Sequence, residues 1–271
     1  MALIAPVGQF TIKSLGGFGD FCHFCWQSMT WIPRGVLHWQ NLRLLFPQLY
    51  SIGVQSVPVV VVTGAFVGMV LAVQMVAQFQ SVGLIAQMGT IINLSVLREL
   101  GPVLAGVMLS GRVGGGLTAE LGTMRVTEQI DALRAMGSDP LRVLVVPRFL
   151  ACVLLIPVLV MYADFMGILG GYTISVYIYG INGTEFWRDA AKTVEYFDIL
   201  YGPIKSVLFG VAISLISCYK GFRCSAGAEG VGRACTESFV AATMAVLAID
   251  FFSGMLLNTL YEMFFGLRSL T

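Results

Sequence analysis

Charge is what this chain lacks over its longest stretches. The 54 residues from 44 to 97 contain no Lys, Arg, Asp or Glu. Over all 271 residues, 11% are charged and 57% are hydrophobic, and the mean hydropathy is +0.83. Soluble domains contain a much larger fraction of charged residues and a smaller fraction of apolar residues. The chain is therefore predicted to be an all-α, polytopic membrane protein.

Histidine and lysine are also scarce, and this excludes several function classes. The formal net charge of +1 argues against nucleic acid as a partner. Cys22, His23 and Cys25 resemble half of a metal site, but His38 is the only other histidine, and a structural zinc site needs four ligands. No metal site is predicted, and the six cysteines are expected to be reduced thiols.

A nucleotide-binding motif is missing as well. The glycine-rich run from Gly111 to Gly116 lacks the lysine that a phosphate-binding loop requires. None of the chain's lysines follows a glycine, since they are preceded by Ile12, Ala191, Ile204 and Tyr219. The chain itself is expected to hydrolyse no ATP and to hold no cofactor.

Five apolar stretches are long enough to cross a bilayer, which takes about 20 residues in a helix. Lys and Arg concentrate in the amino-terminal arm and in the segments after the second and fourth stretches. Because these residues favour the cytoplasm, the amino terminus is predicted to be cytoplasmic and the carboxyl terminus to lie outside. The predicted spans are about 52–78, 92–121, 148–179, 200–219 and 239–265.

The amino-terminal region, residues 1–47, is interpreted as an interfacial segment. Apolar residues recur there at helical spacing between Phe10 and Trp39, together with three of the four tryptophans. An amphipathic helix along the bilayer face explains this pattern, with the chain turning inward at Pro47. A short buried helix is the alternative.

The segment after the second span predicts a short separate helix over about 127–136. Thr127 is placed as its N-cap, Gly137 as its C-cap, and Pro140 follows. An apolar stripe of four residues is expected to hold it against the membrane's inner face. Such a helix is either a plain connector or a docking element for a cytoplasmic partner. The stripe consists of Val126, Ile130, Leu133 and Met136.

Polar residues inside the spans are the candidates for function, because lipid excludes them unless protein or water receives them. Arg98 and Arg112 are predicted to lie on nearly the same helix face, and Gln74 and Gln78 of the first span could face Arg98 across a cavity. Alternatively, Arg98 only anchors its helix at the head groups.

Deeper in the spans, Asp164 and Asp250 are each expected to pair with an arginine or a backbone donor, with proton relay as the alternative. Close helix packing, within the chain or between two copies, is expected at three GxxxG spacings. These are Gly64 with Gly68, Gly111 with Gly115, and Gly167 with Gly171. Residues 184–199 suggest a small helix on the outer surface.

Several of these segments resemble the signature of the MlaE/YrbE permeases, the membrane subunits of ABC systems that move phospholipids or related lipids between a bacterial inner membrane and the outer envelope. The similarity covers nearly the whole chain. The clearest matches are Arg98-Glu-Leu-Gly-Pro102, Thr118-Ala-Glu-Leu-Gly122, Thr127-Glu-Gln-Ile130, Asp139-Pro-Leu141 and Leu247-Ala-Ile-Asp250.

The resemblance implies a homodimer in the bacterial inner membrane with a periplasmic carboxyl terminus. Two cytoplasmic ABC ATPase subunits would bind ATP and Mg, a hexameric ring of MCE domains would stand on the outer side, and a STAS-domain regulator could join the ATPase. The short helix after span two becomes the coupling helix that contacts the ATPase.

The resemblance also implies two groups of functional residues, and the cost of charge in lipid predicts a third. The lipid pocket would contain Leu71, Gln74, Met75, Gln78, Phe79, Arg98 and Glu99. ATPase coupling would involve Glu128, Gln129, Ile130, Asp131, Leu133 and Arg134. Charge pairing within the membrane is expected for Arg112, Glu120, Asp164 and Asp250.

Arg98 is expected to attract an anionic lipid head group, and Glu99 to fix or release it. Three other classes remain open from the sequence: a proton-coupled secondary transporter using Asp164 and Asp250, an intramembrane enzyme, and a non-transporting membrane scaffold.

Overall fold

The computed structural model describes residues 16–31, 39–82 and 88–265, and these residues form nine helices and no strand. We number the helices in chain order, treating runs that continue through a change of helical hydrogen bonding as one. They are α1 (16–31), α2 (Trp39–Ile52), α3 (Val57–Val82), α4 (Met88–Val126), α5 (Gln129–Ala135), α6 (Leu141–Ile178), α7 (Gly183–Thr193), α8 (Tyr196–Phe222) and α9 (Ala228–Phe265).

The prediction of an all-α protein with five membrane-crossing helices is confirmed. The helices are longer than the predicted spans at most ends, because apolar composition marks the lipid-embedded part and not the helical turns beyond it. The spans are Arg43–Val76, Met88–Val126, Leu141–Ile178, Tyr196–Phe222 and Ala228–Met263.

The first span begins earlier than predicted, and the expected turn at Pro47 is wrong. Pro47 lies inside α2, as membrane helices allow when neighbouring groups compensate for the missing N–H. The chain instead bends after Ile52. The buried Gly53 donates its N–H to Leu49 O at 2.9 Å, and a 3₁₀ turn over Val54–Ser56 leads into α3.

The central helix of the fold is α6, which packs against α2, α3, α4 and α8. Its closest approach is to α3, where Gly64 and Gly68 lie against the backbone of Ala163 and Gly167. A Cβ at Gly64 would come within 2.5 Å of Ala163 O. The predicted glycine packing of α3 and α6 is therefore found within one chain, where small residues let two backbones approach in lipid.

Two turns of α4 have π-helical hydrogen bonding, Val96–Leu100 and Ser110–Gly114. Each contains one of the arginines singled out from the sequence. Arg98 faces α8, whereas Arg112 donates to Gln55 Oε1 at 3.1 Å beside the start of α3. The prediction of one shared face is wrong because a π turn contains an extra residue, which changes the direction of the side chains after it.

Side-chain hydrogen bonds join α4, α8 and α9 toward the end where α8 finishes and α9 begins. Thr118 Oγ1 donates to Ser238 Oγ at 2.8 Å, and Ser238 Oγ donates to Ser217 Oγ at 3.1 Å. All three side chains are buried. Such bonds between helices favour a defined register in lipid.

The helix α1 is fastened to the end of α8. Phe21 and Phe24 pack edge-on against Tyr219, with ring centroids 5.2 and 5.6 Å away, and Asp20 forms a 2.7 Å ion pair with Arg223. Trp26, by contrast, is 73% exposed. One face on protein and one bearing an exposed tryptophan are typical of an interfacial helix. Residues 1–15 and 32–38 of the predicted segment lie outside the described part.

Candidate functional site

A buried lysine organises the polar centre of the membrane domain. Lys205 of α8 is fully buried, and its Nζ donates to Glu99 Oε2 at 3.0 Å and to Asp250 Oδ1 at 3.1 Å. A third bond, of 3.1 Å, goes to the backbone oxygen of Arg98. Arg98 lies in a π turn, where carbonyl groups lose their usual helical partners. The local distortion of α4 thus supplies an acceptor for the lysine.

Beside this lysine, Arg98 forms an ion pair with Asp198. Its Nε donates to Asp198 Oδ1 at 2.6 Å, and Nη2 contacts the same oxygen. The carboxylate of Asp198 is fully buried and also accepts from Glu195 N at 2.9 Å, as part of a capping box at the start of α8. A helix amino terminus favours a negative charge. The start of α8 therefore fixes the position of the carboxylate that binds Arg98.

Tyr201 lies between the two cations. Lys205 Nζ is 4.6 Å from the centre of its ring and Arg98 Cζ is 5.5 Å away, within the range of cation–π contact. The Tyr201 hydroxyl donates to Gly254 O at 2.9 Å. We refer to Arg98, Glu99, Asp198, Tyr201, Lys205 and Asp250 as the ionic cluster.

Both cations of the ionic cluster are already paired in this structure. With all groups ionised, three carboxylates face two cations, so the cluster has no excess positive charge. Glu99 is its most accessible member, with 50% of its side chain exposed. An incoming anion that binds Arg98 or Lys205 must therefore displace a carboxylate; the expectation that Arg98 attracts a lipid head group stays a prediction.

An apolar groove of about 280 Å³ lies between α3 and α4. Leu100, which follows Glu99 directly, forms part of its wall. Of the predicted pocket residues, Leu71 and Gln74 line it. The full lining is Phe66, Val67, Val70, Leu71, Gln74, Leu100 and Leu104.

The other predicted pocket residues lie elsewhere. Met75 and Phe79 pack against an apolar cluster that includes Leu71, Met88 and Ile92. Gln78 is exposed. Arg98 is directed toward α8, so the structure does not bring it to Gln74 as the sequence suggested.

The short helix predicted after span two is present as α5, with different ends. Thr127 is not its N-cap: its Oγ1 donates to Thr123 O at 2.8 Å, closing α4 instead. Glu128 holds the N-cap position with φ +59° and no side-chain capping bond. The C-cap is Met136, one residue before the predicted Gly137. Gly137, at φ +75°, closes the turn that follows, and Ser138 N donates back to Leu133 O at 3.1 Å.

The apolar stripe of α5 is shorter than predicted. Ile130 is fully buried and Leu133 packs beside it, but Met136 is 73% exposed because it lies past the last helical turn. The predicted coupling residues thus divide into two sets. Ile130 and Leu133 face the membrane domain, whereas Glu128, Gln129, Asp131 and Arg134 are exposed.

The predicted charge pairs have mixed outcomes. Glu120 binds the buried Arg148 at 3.0 Å, and Asp250 binds Lys205. Arg112 contacts an amide oxygen and not a carboxylate. Asp164 is buried and has no hydrogen bond to its Oδ1 among the residues described, so its expected pairing is wrong. It lies where α6 crosses Gly101 and Gly202, which offer no side-chain donor.

Comparison with known proteins decides the family. A model of the family "Permease MlaE" matches residues 45–256. A "Probable ABC transporter permease protein" of Rickettsia felis is 41% identical over 245 residues, covering 90% of this chain and 93% of the relative. The chain belongs to the MlaE permease family.

Two other relatives show how widely this family extends. The "Intermembrane phospholipid transport system permease protein MlaE" of Haemophilus influenzae is 39% identical over 213 residues, covering 78% of this chain and 82% of the relative. The chloroplast protein TRIGALACTOSYLDIACYLGLYCEROL 1 of Arabidopsis thaliana is 36% identical over 220 residues, 81% of this chain and 62% of the relative.

Sequence reasoning missed three members of the ionic cluster in this MlaE-family chain: Asp198, Tyr201 and Lys205. A signal was available, since positions three and four residues apart lie on one face of a helix. A carboxylate, an aromatic ring and a lysine at this spacing near the start of an apolar span form a polar face that lipid does not accommodate.

Proposed function

We propose that this chain is the membrane permease subunit of an ABC transporter that moves phospholipids between the inner membrane and the outer envelope. The observation that carries the proposal is the apolar groove between α3 and α4, whose wall includes Leu100, the residue that follows the half-exposed Glu99 of the ionic cluster. An apolar wall with a few polar groups at one end suits an amphiphilic ligand. Family membership and the name of the Haemophilus relative support the same function.

The assembly follows from the family and from the distribution of charge. Two copies of the chain would face a cytoplasmic ABC ATPase dimer, which binds ATP and Mg, and a hexameric MCE-domain ring on the periplasmic side; a STAS-domain subunit would regulate the ATPase. The exposed residues of α5 fit the role of the ATPase contact, with Ile130 anchoring the helix. In this orientation the amino terminus is cytoplasmic and the ionic cluster lies in the outer half of the bilayer.

The paired state of the ionic cluster suggests how a head group is held and released. Acyl chains would occupy the groove lined by Leu100 and Leu104. The lipid phosphate would replace the Glu99 carboxylate on Lys205 Nζ, a charge-assisted contact of the same kind. Return of Glu99 to Lys205 would then release the phosphate when movement of α5 narrows the groove.

The decisive experiment fills the groove. Leu104→Trp places a larger side chain in its wall, whereas Leu208→Trp makes the same change at an exposed position of α8 outside it. The complete complex, purified with its ATPase and reconstituted in proteoliposomes, is assayed for ATP-dependent transfer of a fluorescent phospholipid. We expect Leu104→Trp to lower the rate at least about tenfold by occupying the space of an acyl chain, and Leu208→Trp to retain it.

Equal transfer by the two variants would exclude the groove from the lipid's path. ATP hydrolysis in the absence of lipid is measured in parallel. If that basal rate also fell in Leu104→Trp, the substitution would have disturbed the coupling of α4 to the ATPase and not the lipid site.

A further inference from the structure

A second, larger cavity shares no lining residue with the α3–α4 groove. It has a volume of about 450 Å³ and is enclosed by α4, α6, α7 and the start of α8. Most of its lining is apolar. Phe165, Trp187 and Ile199 form an exposed rim, so the cavity opens toward the surrounding lipid. Its volume is within the range of small-molecule sites.

Two buried polar side chains in the wall of this cavity lack partners. Asn93 is 2% exposed and Asp164 is 3% exposed. The Oδ1 atom of each accepts no hydrogen bond within the described ranges 16–31, 39–82 and 88–265 and is itself buried, and that of Asp164 lies against Gly101 of α4. A buried acceptor without a donor costs about 1 to 3 kcal/mol, and an unpaired carboxylate costs more. A ligand that brings hydrogen-bond donors would satisfy both acceptors after a rotation of each side chain toward the cavity.

The depth of Asp164 suits a lipid head group near the membrane surface. Its carboxyl packs against α8 at Gly202, where an added Cβ would lie 3.1 Å from Oδ2. Gly202 is six residues from Tyr196 at the start of α8, or about 9 Å along the axis, and Tyr196 is 90% exposed. Arg98 and Lys205 occupy a similar level, but their described contacts go to the ionic cluster.

We propose that this cavity is a second lipid-binding site, which takes a lipid with a primary-amine head group laterally from the membrane. The ammonium group supplies three donors and a positive charge, which match the acceptors of Asp164 and Asn93. The acyl chains lie along Phe165 and beneath Trp187. A wholly apolar occupant, such as a transmembrane segment of another protein, would leave both acceptors unsatisfied.

The cavity contains its own reporter, because Trp187 is part of its rim. The purified complex is placed in nanodiscs whose acyl chains are brominated on either phosphatidylethanolamine or phosphatidylcholine, and quenching of Trp187 is measured as the difference from a Trp187→Phe sample. Phosphatidylcholine has no N–H donor. We expect half-maximal quenching at an about tenfold lower fraction of phosphatidylethanolamine, as one charged hydrogen bond allows.

Asp164→Asn, which keeps the shape of the side chain, should reduce this preference below about threefold because the charged contact is lost. Glu185→Gln is the matched control, since it removes an exposed carboxylate from α7 outside the cavity; it should leave the preference unchanged.

Equal quenching by the two lipids would overturn the proposal, as would a preference that survives in Asp164→Asn. Absence of quenching by either lipid would show that a protein segment covers the cavity. The Leu104→Trp variant separates this site from the proposed transport path, because its effect on lipid transfer should leave the quenching of Trp187 unaltered.

Discussion

At the residue scale, the cost of burying charge explains why the ionic cluster is arranged as it is. Lys205 has no contact with solvent, yet it makes three hydrogen bonds, one of them to a carbonyl released by the π turn of α4. The ammonium group of Lys205 on α8 is satisfied by Glu99 of α4 and Asp250 of α9, so the bonds connect three helices. The cluster thereby fixes the positions of these helices relative to one another.

Replacing Lys205 by Met should destabilise the protein strongly, because Glu99 and Asp250 would lose their shared cation. Breaking a buried ion pair from one side costs about 3 to 5 kcal/mol, so the midpoint of thermal unfolding, followed by size exclusion in detergent, should fall markedly. Adding Asp250→Asn to Lys205→Met should recover part of the loss. If the single and double variants melt together, the pair with Asp250 contributes nothing to stability.

At the element scale, close contact between helices depends on positions where a side chain cannot fit. A Cβ on Gly68 of α3 would collide with Gly167 O of α6, whereas a Cβ on Gly115 of α4 would meet no atom within 4 Å. Both glycines belong to GxxxG spacings that look equivalent in the sequence. The distinction between them comes only from the neighbouring helix.

Gly68→Ala should therefore lower stability and Gly115→Ala should not. Overpacking of this kind costs about 1 to 3 kcal/mol, while alanine in an open helical position gains up to about 1 kcal/mol over glycine. Chemical unfolding of the two variants in the same detergent provides the comparison. A destabilised Gly115→Ala protein would mean that α4 is covered at this position in the assembled protein.

Helix α5 has one face buried against the membrane domain and one face exposed. Ile130→Ala should cost about 2 to 5 kcal/mol locally, because it removes a fully buried side chain, and α5 should become more susceptible to proteolysis. Gln129→Ala alters an exposed residue and should leave protease resistance intact while weakening stimulation of the ATPase by lipid. Equal protease sensitivity of the two variants would show that Ile130 does not hold α5 in place.

The sequence predicted best what depends on local composition. Five apolar runs became five spans, and a short separate helix follows the second span as expected. Prediction from the sequence failed where the outcome depends on distant residues, since Lys205 contacts Glu99 across 106 positions of the chain. It also failed for the direction of Arg98, which depends on a π turn. Pro47 misled because a lipid-embedded helix can continue through a proline.

At the scale of the whole molecule, the amino-terminal helix is attached to the membrane domain by unequal contacts. The Asp20–Arg223 pair is exposed on both sides; hydrogen bonding to Asp20 raises the pKa of Arg223, but exposed pairs contribute about 1 kcal/mol at most. Phe21 and Phe24 pack directly on Tyr219. The aromatic contacts should therefore govern whether α1 stays docked.

Cys25 can report on this docking, since burial first, and then the neighbouring Cys22, raise its pKa to about 11. The thiolate is the reactive form, so in the docked protein the alkylation rate of Cys25 should climb about tenfold per pH unit from pH 7 toward 11.

Phe24→Ala should release α1, restore the ordinary thiol pKa and speed alkylation at pH 8 by roughly a hundredfold. Asp20→Asn should change the rate far less. With Cys22 replaced by serine in every protein compared, burial, the larger cause of the raised pKa, remains, and mass spectrometry of alkylated peptides follows Cys25 alone. A slow, unchanged rate in Phe24→Ala would show that other contacts hold α1 on the membrane domain.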